Sequence, residues 1–164
     1  MGNLGRLEGL SVEVVHSHPQ VLLVRVLGQS LCQPILIVFV YGSLDRKKRE
    51  IALGRVKCYY ASKGAHWLAI GDFNAIMFGS EKRGGRVRGK SCSLFGSFKD
   101  STTLHDLGFK GMSFTWCRGG TFERLDRTIR NDAWLNIFPN SLVTHLSRLK
   151  FDHRPLFLSL RSDL

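Results

Sequence analysis

The apolar run PILIVFVYG (residues 34–42) constrains the fold most, because it is almost continuously hydrophobic and rich in β-branched residues. Such a run is typical of a strand covered on both faces, and it predicts a central strand of a sheet. The segment HWLAIGDFN (66–74) has the same character and predicts a second buried strand. Between them, apolar residues at helical spacing in a charged background predict an amphipathic helix near 44–63.

Shorter patterns of both kinds fill the rest of the chain. Further strands are expected near 11–16, 21–28, 113–117, 123–129, 141–146 and 155–160, and further helices near 91–104 and 131–138. The RGG turn between SFTWC and ERLDRTI predicts an antiparallel hairpin there. Strands with interspersed helices indicate an α/β or α+β protein. No repeat or linker divides the 164 residues, so a single domain over residues 1–164 is expected.

The charge balance indicates the class of partner. Lys and Arg outnumber Asp and Glu by 24 to 13, a formal net charge of +11, which favours polyanions without choosing among DNA, RNA and an anionic membrane. The longest apolar run is too short to cross a bilayer, and the first residues show no secretory signal. The four cysteines form no metal or redox motif. A nuclear or cytoplasmic protein, neither secreted nor inserted in a membrane, is therefore expected.

Asp72 and Asn74 are the first candidate functional residues. Both stand at the end of a buried strand, and residues two apart in a strand project from the same face. A carboxylate and an amide side by side can hold a water, a cation or a phosphate oxygen. The alternative is that Asp-Phe-Asn only opens a turn.

Asp126 and the pair Asp152–His153 are the other candidates. Asp126 is predicted within a strand, where a buried carboxylate needs a partner, either Arg124 or Arg127 or a histidine whose tautomer it fixes. Asp152 and His153 stand at the entrance to the last strand, where loop polarity is the alternative explanation. Gathered in one cleft, these groups would suit metal-assisted phosphodiester hydrolysis.

The motifs GDFN, RLDR and DH-x-P, in this order, resemble the endonuclease/exonuclease/phosphatase superfamily, which has the DNase I-like fold. The longer segments WLAIGDFNAI, LHDLGFKGMSFTWCRGG and ERLDRTIRNDAWLNIFPNSLVTHL are similar to the endonuclease domain of plant non-LTR (LINE-type) retroelements. The resemblance covers roughly Val12 to Leu160. It implies an α/β fold, a two-sheet α/β sandwich with a cleft above the sheets.

The resemblance also implies a role for each candidate residue. Asp72 would activate the attacking water, and Asn74 would orient that water and the phosphate. His153 would hydrogen-bond the phosphate, and Asp126 would hold its ring. Asp152 would bind the divalent metal, Mg²⁺ or Mn²⁺, or its water shell.

Tyr41, in the segment VYGS, would lie near the phosphate by the same resemblance, or it is simply an aromatic residue at a strand end.

The sequence also departs from the family in two places. The family's first strands carry an asparagine and a metal-ligating glutamate, and this chain is expected to lack those N-terminal strands. Phe151 stands where the family usually has a serine, and it is expected to crowd the site.

A basic segment follows the Asp72 strand and could lie along a DNA backbone, or be a solvated loop. Its cations are Lys82, Arg83, Arg86, Arg88 and Lys90.

Two functions are expected as alternatives. One is a retroelement endonuclease that cleaves DNA, impaired by loss of the N-terminal segment and encoded beside a reverse transcriptase domain; the other is an inactive, basic nucleic-acid-binding remnant of the same domain. The net charge argues against a third possibility, a small-molecule phosphatase.

Overall fold

A computed structural model gives the fold and describes residues 9–29, 31–60, 65–85, 93–100 and 102–160. The strands are β1 (Leu10–His18), β2 (Val21–Gly28), β3 (Ile35–Tyr41), β4 (His66–Asp72), β5 (Lys82–Arg83), β6 (His105–Asp106), β7 (Lys110–Gly111), β8 (Trp116–Arg118), β9 (Thr121–Glu123), β10 (Asp126–Arg130), β11 (Leu142–His145) and β12 (Leu156–Ser159). The helices are α1 (Arg46–Tyr60), α2 (Ser93–Asp100) and α3 (Asp132–Ile137), with a 3₁₀ turn at Gly79–Glu81. The predicted α/β class is confirmed.

The main sheet has six strands in the order β1-β2-β3-β4-β10-β6. β3 and β4 are parallel because α1 carries the chain back between them, as a parallel pair requires. The other pairs in this sheet are antiparallel. The two predicted buried strands therefore lie side by side at its centre, with their carboxyl ends at the same edge.

One face of the main sheet packs against α1 and α2. Leu36, Val38 and Val40 point from β3 into this core, where they meet residues of the two helices. The helix residues in this core are Ala52, Leu53, Val56, Phe95 and Phe98. In α1 the buried residues recur at helical spacing, which explains how a segment rich in Lys and Arg forms an amphipathic helix.

The opposite face is covered by α3 and by a three-stranded sheet in the order β12-β11-β7. Ile35, Leu68 and Trp134 form the buried centre of this layer, and Leu158 of β12 packs against it. The expectation that β3 is covered on both faces holds only for its first half. Phe39, in the second half of β3, is 46% exposed and is not part of the packed layer on this face. Among the described residues, no helix is both long and apolar enough to cross a membrane.

A third small sheet has the order β5-β9-β8. The predicted hairpin forms only in part: β8 and β9 pair around Gly119 and Gly120, whose positive φ angles of 55° and 75° suit a tight two-residue turn. After β9 the chain leaves this sheet and enters the main sheet as β10. Asp126 consequently lies beside β4 instead of in the hairpin.

Candidate active site

Three neighbouring strands of the main sheet end or begin at one edge with a polar side chain. Tyr41 is the last residue of β3, Asp72 is the last of β4, and Asp126 is the first of β10. The pairing places Tyr41 opposite Asp72, and Asp126 opposite Asp72. The strand register alone therefore brings two carboxylates and a phenol into one row across the sheet.

Two glycines allow the ends of β3 and β4 to approach closely. Gly71 has a φ of 140°, and a Cβ at this position would lie 2.1 Å from the carbonyl oxygen of Val40. A Cβ on Gly42 would lie 2.6 Å from the carbonyl oxygen of Phe73. Any larger residue at these positions would push the strand ends apart and displace Asp72.

Asn74 is fixed by three hydrogen bonds. Its backbone N–H donates to Asp72 Oδ1 at 2.7 Å, and its side-chain Nδ2 donates to Asp72 Oδ2 at 2.9 Å and to the carbonyl oxygen of Gly42 at 2.6 Å. The expected reason for the pairing is wrong, because β4 ends at Asp72 and Asn74 has a φ of 47°. The two side chains meet through a tight turn closed by the Asp72 carboxylate, not through the alternation of a strand. The turn, which the sequence analysis gave as the alternative, is therefore what brings the side chains of Asp72 and Asn74 together.

His153 lies on the other side of the row and is bonded to Asp126. Its Nδ1 is 2.9 Å from Asp126 Oδ2, so the neutral ring donates from Nδ1 and leaves Nε2 for another partner. The two arginines named as alternative partners of Asp126 bond elsewhere. Arg124 pairs with Glu81 and Asp106, and so does Arg127.

Thr115 fixes both members of this pair, a role that sequence reasoning missed. Its Oγ1 accepts the backbone N–H of Leu125 and of Asp126, each at 3.0 Å. Its carbonyl oxygen accepts the backbone N–H of Arg154 at 2.7 Å, and the next residue forms a bridge with His153. The only signal in the sequence is a hydroxyl residue between aromatics in SFTWC, which is too common a pattern to indicate this role.

A buried ionic cluster holds the segment that follows Asn74. Arg127 is fully buried, donates to Glu81 Oε2 at 2.9 Å and also donates to the carbonyl oxygen of Ala75 at 2.9 Å. Glu81 Oε2 in turn accepts the backbone N–H of Met77 at 2.6 Å. Burial would raise the pKa of Glu81, but the hydrogen bond from Arg127 and its charge outweigh this effect and lower it. The cluster thereby ties β10 to the turn that carries Asn74.

The electrostatics of the site favour a bound cation. The ligand atoms of Asp72, Asp126 and His153 all lie within 4.8 Å of one another. Burial raises the pKa of the Asp72 carboxyl from 3.8 to about 6, and the negative charge of Asp126 adds to the effect. A divalent cation would relieve this repulsion, and carboxylate oxygens are the ligands that Mg²⁺ and Mn²⁺ prefer. The donor set therefore fits such an ion.

The other predicted site residues lie around this group. Tyr41 is 67% exposed beside Asp72. Asp152 is exposed, and its carbonyl oxygen accepts the backbone N–H of Cys117, but its carboxylate is not part of the three-residue group. Phe151 is 75% exposed, so its side chain is not packed among the buried carboxylates of the site.

Of the basic segment, the structure describes only the beginning. Lys82 pairs with Glu123 across β5 and β9, and the guanidinium of Arg83 lies 4.5 Å from the ring centroid of Phe122. The predicted DNA contacts at Arg86 and Arg88 fall outside the described residues, as does Lys90.

Comparison with known proteins shows which family and which solved structures this chain is similar to. The model of the endonuclease/exonuclease/phosphatase family matches residues 11–151. A comparison with curated protein sequences gave no match. Among solved structures, the endonuclease domain of TRAS1, a telomere-specific non-LTR retrotransposon, is 20% identical with a TM-score of 0.62, and the alignment covers 94% of this chain and 70% of that domain.

Two further solved structures share the fold. The beta toxin of Staphylococcus aureus is 13% identical with a TM-score of 0.58, covering 87% of this chain and 57% of the toxin. TDP2 of D. rerio, solved with a single-strand DNA product, is 12% identical with a TM-score of 0.52, covering 89% of this chain and 64% of that protein. This chain thus spans less than two thirds of the length of the toxin and of TDP2.

Proposed function

Because this chain belongs to the endonuclease/exonuclease/phosphatase family, we propose that it is a metal-dependent endonuclease domain of a retroelement and hydrolyses phosphodiester bonds of DNA. One observation carries the proposal. The Asp72–Asn74 pair and the Asp126–His153 pair lie at one edge of the main sheet, with their functional atoms close enough to act on one phosphate.

Asp72 is proposed to accept the proton of the attacking water. Burial raises the pKa of this carboxyl to about 6 in the metal-free protein, so at neutral pH it is ionised and able to accept a proton. Asn74 donates both its backbone and its side-chain N–H groups to Asp72, which leaves its amide oxygen to orient the water. The pair would therefore place the water and the group that deprotonates it in one fixed geometry.

His153 is proposed to bind the phosphate through Nε2. Asp126 accepts the hydrogen bond from Nδ1, which orients the ring and leaves Nε2 for the phosphate. The protonated ring would donate to a phosphate oxygen and stabilise the charge that develops there. Tyr41, in the same row, is proposed to contact the same phosphate.

Asp152, with the carboxylates at the sheet edge, is proposed to hold the divalent ion, Mg²⁺ or Mn²⁺, or its water shell. When bound, that ion would supply positive charge to stabilise the leaving oxygen. The orientation of the water and of the phosphate would still come from Asp72, Asn74 and His153.

Several observations support DNA as the substrate. The chain carries a net charge of +11, the TRAS1 domain is described as a retrotransposon endonuclease, and TDP2 was solved with single-strand DNA. The basic segment beginning at Lys82 and Arg83 would add contacts to the phosphate backbone. A reverse transcriptase domain in the parent element is part of this proposal, as are a plant LINE origin and a nuclear or cytoplasmic location.

We also propose that residues 1–164 lie in a single domain and that, tested alone, they cleave DNA only weakly, because none of their glutamates is assigned the metal-ligating role that the resemblance gives to the family's first strands. The sequence resemblance assigns a metal-ligating glutamate to those strands, and this chain covers 70% of the TRAS1 domain. The exposed Val12, Val14 and Phe39 on the main sheet fit a surface that further strands would cover. The alternative function is an inactive remnant that binds nucleic acid through its charge.

Nicking of supercoiled plasmid DNA tests these proposals. The variants are the native chain, the chain extended by the N-terminal strands of a related element, and the extended chain with Asp72→Ala, each with Mg²⁺ and with EDTA. The expected result is very slow nicking by the native chain, strong Mg²⁺-dependent nicking by the extended chain, and none with Asp72→Ala. If neither chain nicks DNA while both bind it, the remnant alternative is correct; strong nicking by the native chain would refute the proposed impairment.

A further inference from the structure

The loop before β12 presents two of the most exposed apolar side chains of the described residues. Leu149 is 77% exposed and Phe151 is 75% exposed, and among large hydrophobic side chains in the described part of the chain only Leu44 is more exposed. We refer to residues 146–154 as the wedge loop. Exposed apolar groups of this size commonly mark a surface that binds a partner.

The wedge loop is held in place by the rest of the fold. The backbone N–H of Cys117 donates to the carbonyl oxygen of Asp152 at 3.0 Å, and Arg148 donates to the carbonyl oxygen of Cys117 at 3.3 Å. At its end, Arg154 Nε donates to the carbonyl oxygen of Phe114 at 3.1 Å. Hydrogen bonds to Phe114 and Cys117, in and beside β8, hold the wedge loop near both of its ends. Phe151 is therefore exposed on a loop whose backbone is fixed.

The charges of the wedge loop favour a polyanion. Apolar and cationic residues alternate along it, as Arg148, Leu149, Lys150 and Phe151. Both cations are exposed, and the loop contains one acidic residue, Asp152. Cationic groups beside an apolar wedge are a combination with which proteins hold a DNA backbone while they insert between base pairs.

A second basic and aromatic surface adjoins the wedge loop. Arg83 lies over the rings of Phe114 and Phe122, with its guanidinium carbon 5.4 and 4.5 Å from the two centroids. A cavity of about 70 Å³ is lined by these residues together with Arg148 and Arg154. The positive charge therefore continues beyond the loop, along a path that a nucleic-acid strand leaving the site could follow.

We propose that the wedge loop inserts Phe151, assisted by Leu149, between bases next to the phosphate held by His153, while Arg148 and Lys150 bind the flanking phosphates. The insertion rests on the proposed function, because His153 follows Phe151 by two residues and fixes which phosphate is adjacent. Sites in which stacking is already weak, such as a mismatch, would be bound best, since less unstacking is required there.

The test measures base unstacking directly and without cleavage. The full chain is titrated, in EDTA, into a duplex that carries 2-aminopurine beside a central mismatch, and into the matched duplex. The variants are Phe151→Ala, Phe151→Trp, and Ile51→Ala, which removes another exposed apolar side chain from α1. The native chain and Ile51→Ala are expected to raise the 2-aminopurine fluorescence several-fold, Phe151→Trp is expected to retain the effect, and Phe151→Ala is expected to lose it and bind about 10-fold more weakly.

The outcomes separate this inference from the proposed function. A Phe151-dependent fluorescence change supports the insertion even if no chain nicks plasmid. An unchanged fluorescence with the native chain, or an equal change with Phe151→Ala, overturns the insertion even if nicking is observed. Vesicles containing anionic phospholipid are tested in parallel, and Phe151-dependent binding to them without a fluorescence change on DNA would assign the loop to a membrane surface instead.

Discussion

Asp72 and Asp126 lie directly opposite each other on the antiparallel strands β4 and β10, and both carboxylates are buried. Like charges at opposed positions of a sheet are destabilising, and burial increases the effect. Burial, and then the charge of Asp126, raise the pKa of Asp72, and the two carboxylates concentrate negative charge where a cation is proposed to bind.

Replacing Asp72 by Asn should remove a loss of stability that the metal-free protein undergoes as the pH rises. The pKa of Asp72 is raised to about 6 in the folded state, so between pH 4 and 6 the folded chain binds more protons than the unfolded chain, and stability falls as the pH rises through this range. The neutral Asn avoids that loss. Because Asn offers one acceptor oxygen where Asp72 offers two to the N–H groups of Asn74, we expect the change in the free energy of unfolding caused by Asp72→Asn to become more favourable by about 1–3 kcal/mol between pH 4 and pH 7.5, measured by urea denaturation in EDTA. A difference independent of pH would contradict the stated cause.

Replacing Asp126 by Asn should impair cleavage through His153. The variant weakens the hydrogen bond that orients the ring through Nδ1–H, so we expect the single-turnover nicking rate of the N-terminally extended chain to fall by about 100-fold. Nitrogen NMR of the His153 ring should show a changed tautomer. The control is Asp132→Asn, which removes an exposed carboxylate 3.6 Å from His105 and should leave the rate unchanged. An unaltered His153 signal would argue against a positioning role.

Thr115 should prove critical for stability although it is not proposed to touch substrate. Thr115→Val keeps the shape but leaves the buried N–H groups of Leu125 and Asp126 without an acceptor. We expect the free energy of unfolding to fall by about 2–4 kcal/mol, whereas Thr115→Ser should cost less than about 1 kcal/mol. Urea denaturation measures both variants, and equal losses would show that the methyl group matters as much as the hydroxyl.

The buried Arg127 should be far more important than an exposed arginine in a comparable pair. Arg127→Met removes a buried positive charge that pairs with the carboxylates of Glu81 and Asp106. We expect the free energy of unfolding to fall by about 3–5 kcal/mol. Arg25→Met breaks a surface pair with Glu13 and should cost less than about 1 kcal/mol. Similar losses in the two variants would mean that Arg127 contributes mainly through packing.

The basic segment should govern the salt dependence of DNA binding. Neutralising Lys82, Arg83, Arg86 and Arg88 together should reduce the slope of log affinity against log salt by up to about 0.9 for each DNA phosphate that the segment no longer neutralises. The measurement is a fluorescence anisotropy titration of duplex DNA at several salt concentrations. An unchanged slope would show that the segment is a solvated loop that does not touch the DNA backbone.

The continuous apolar runs were enough to predict β3 and β4, because a strand buried in a sheet has no polar face to obscure the pattern. A buried carboxylate at Asp126 required a partner, and His153 was one of the candidates for that reason. The left-handed conformation of Asn74 could not be predicted, since it depends on the Asp72 carboxylate closing a turn. Strands such as β5 and β7 span two residues each, which is too short for any period to show.

The partners of Arg124 and Arg127 also could not be predicted. They depend on the turn at Gly79–Glu81 placing one carboxylate between both guanidinium groups, an interaction between distant parts of the sequence. Thr115 is similar, because its role follows from the way β8 lies beside two other segments.

The position of β10 between β4 and β6 has a consequence for biosynthesis. Asp72 leaves the ribosome long before Asp126 and His153, so the N-terminal strands can pair while β4 still has an open edge. Until β10 is added, the nascent chain has no complete site and offers an unpaired strand to other nascent chains. Translation that stops before residue 126 would therefore yield a product prone to aggregation, which confines any nuclease activity to chains whose synthesis has passed His153.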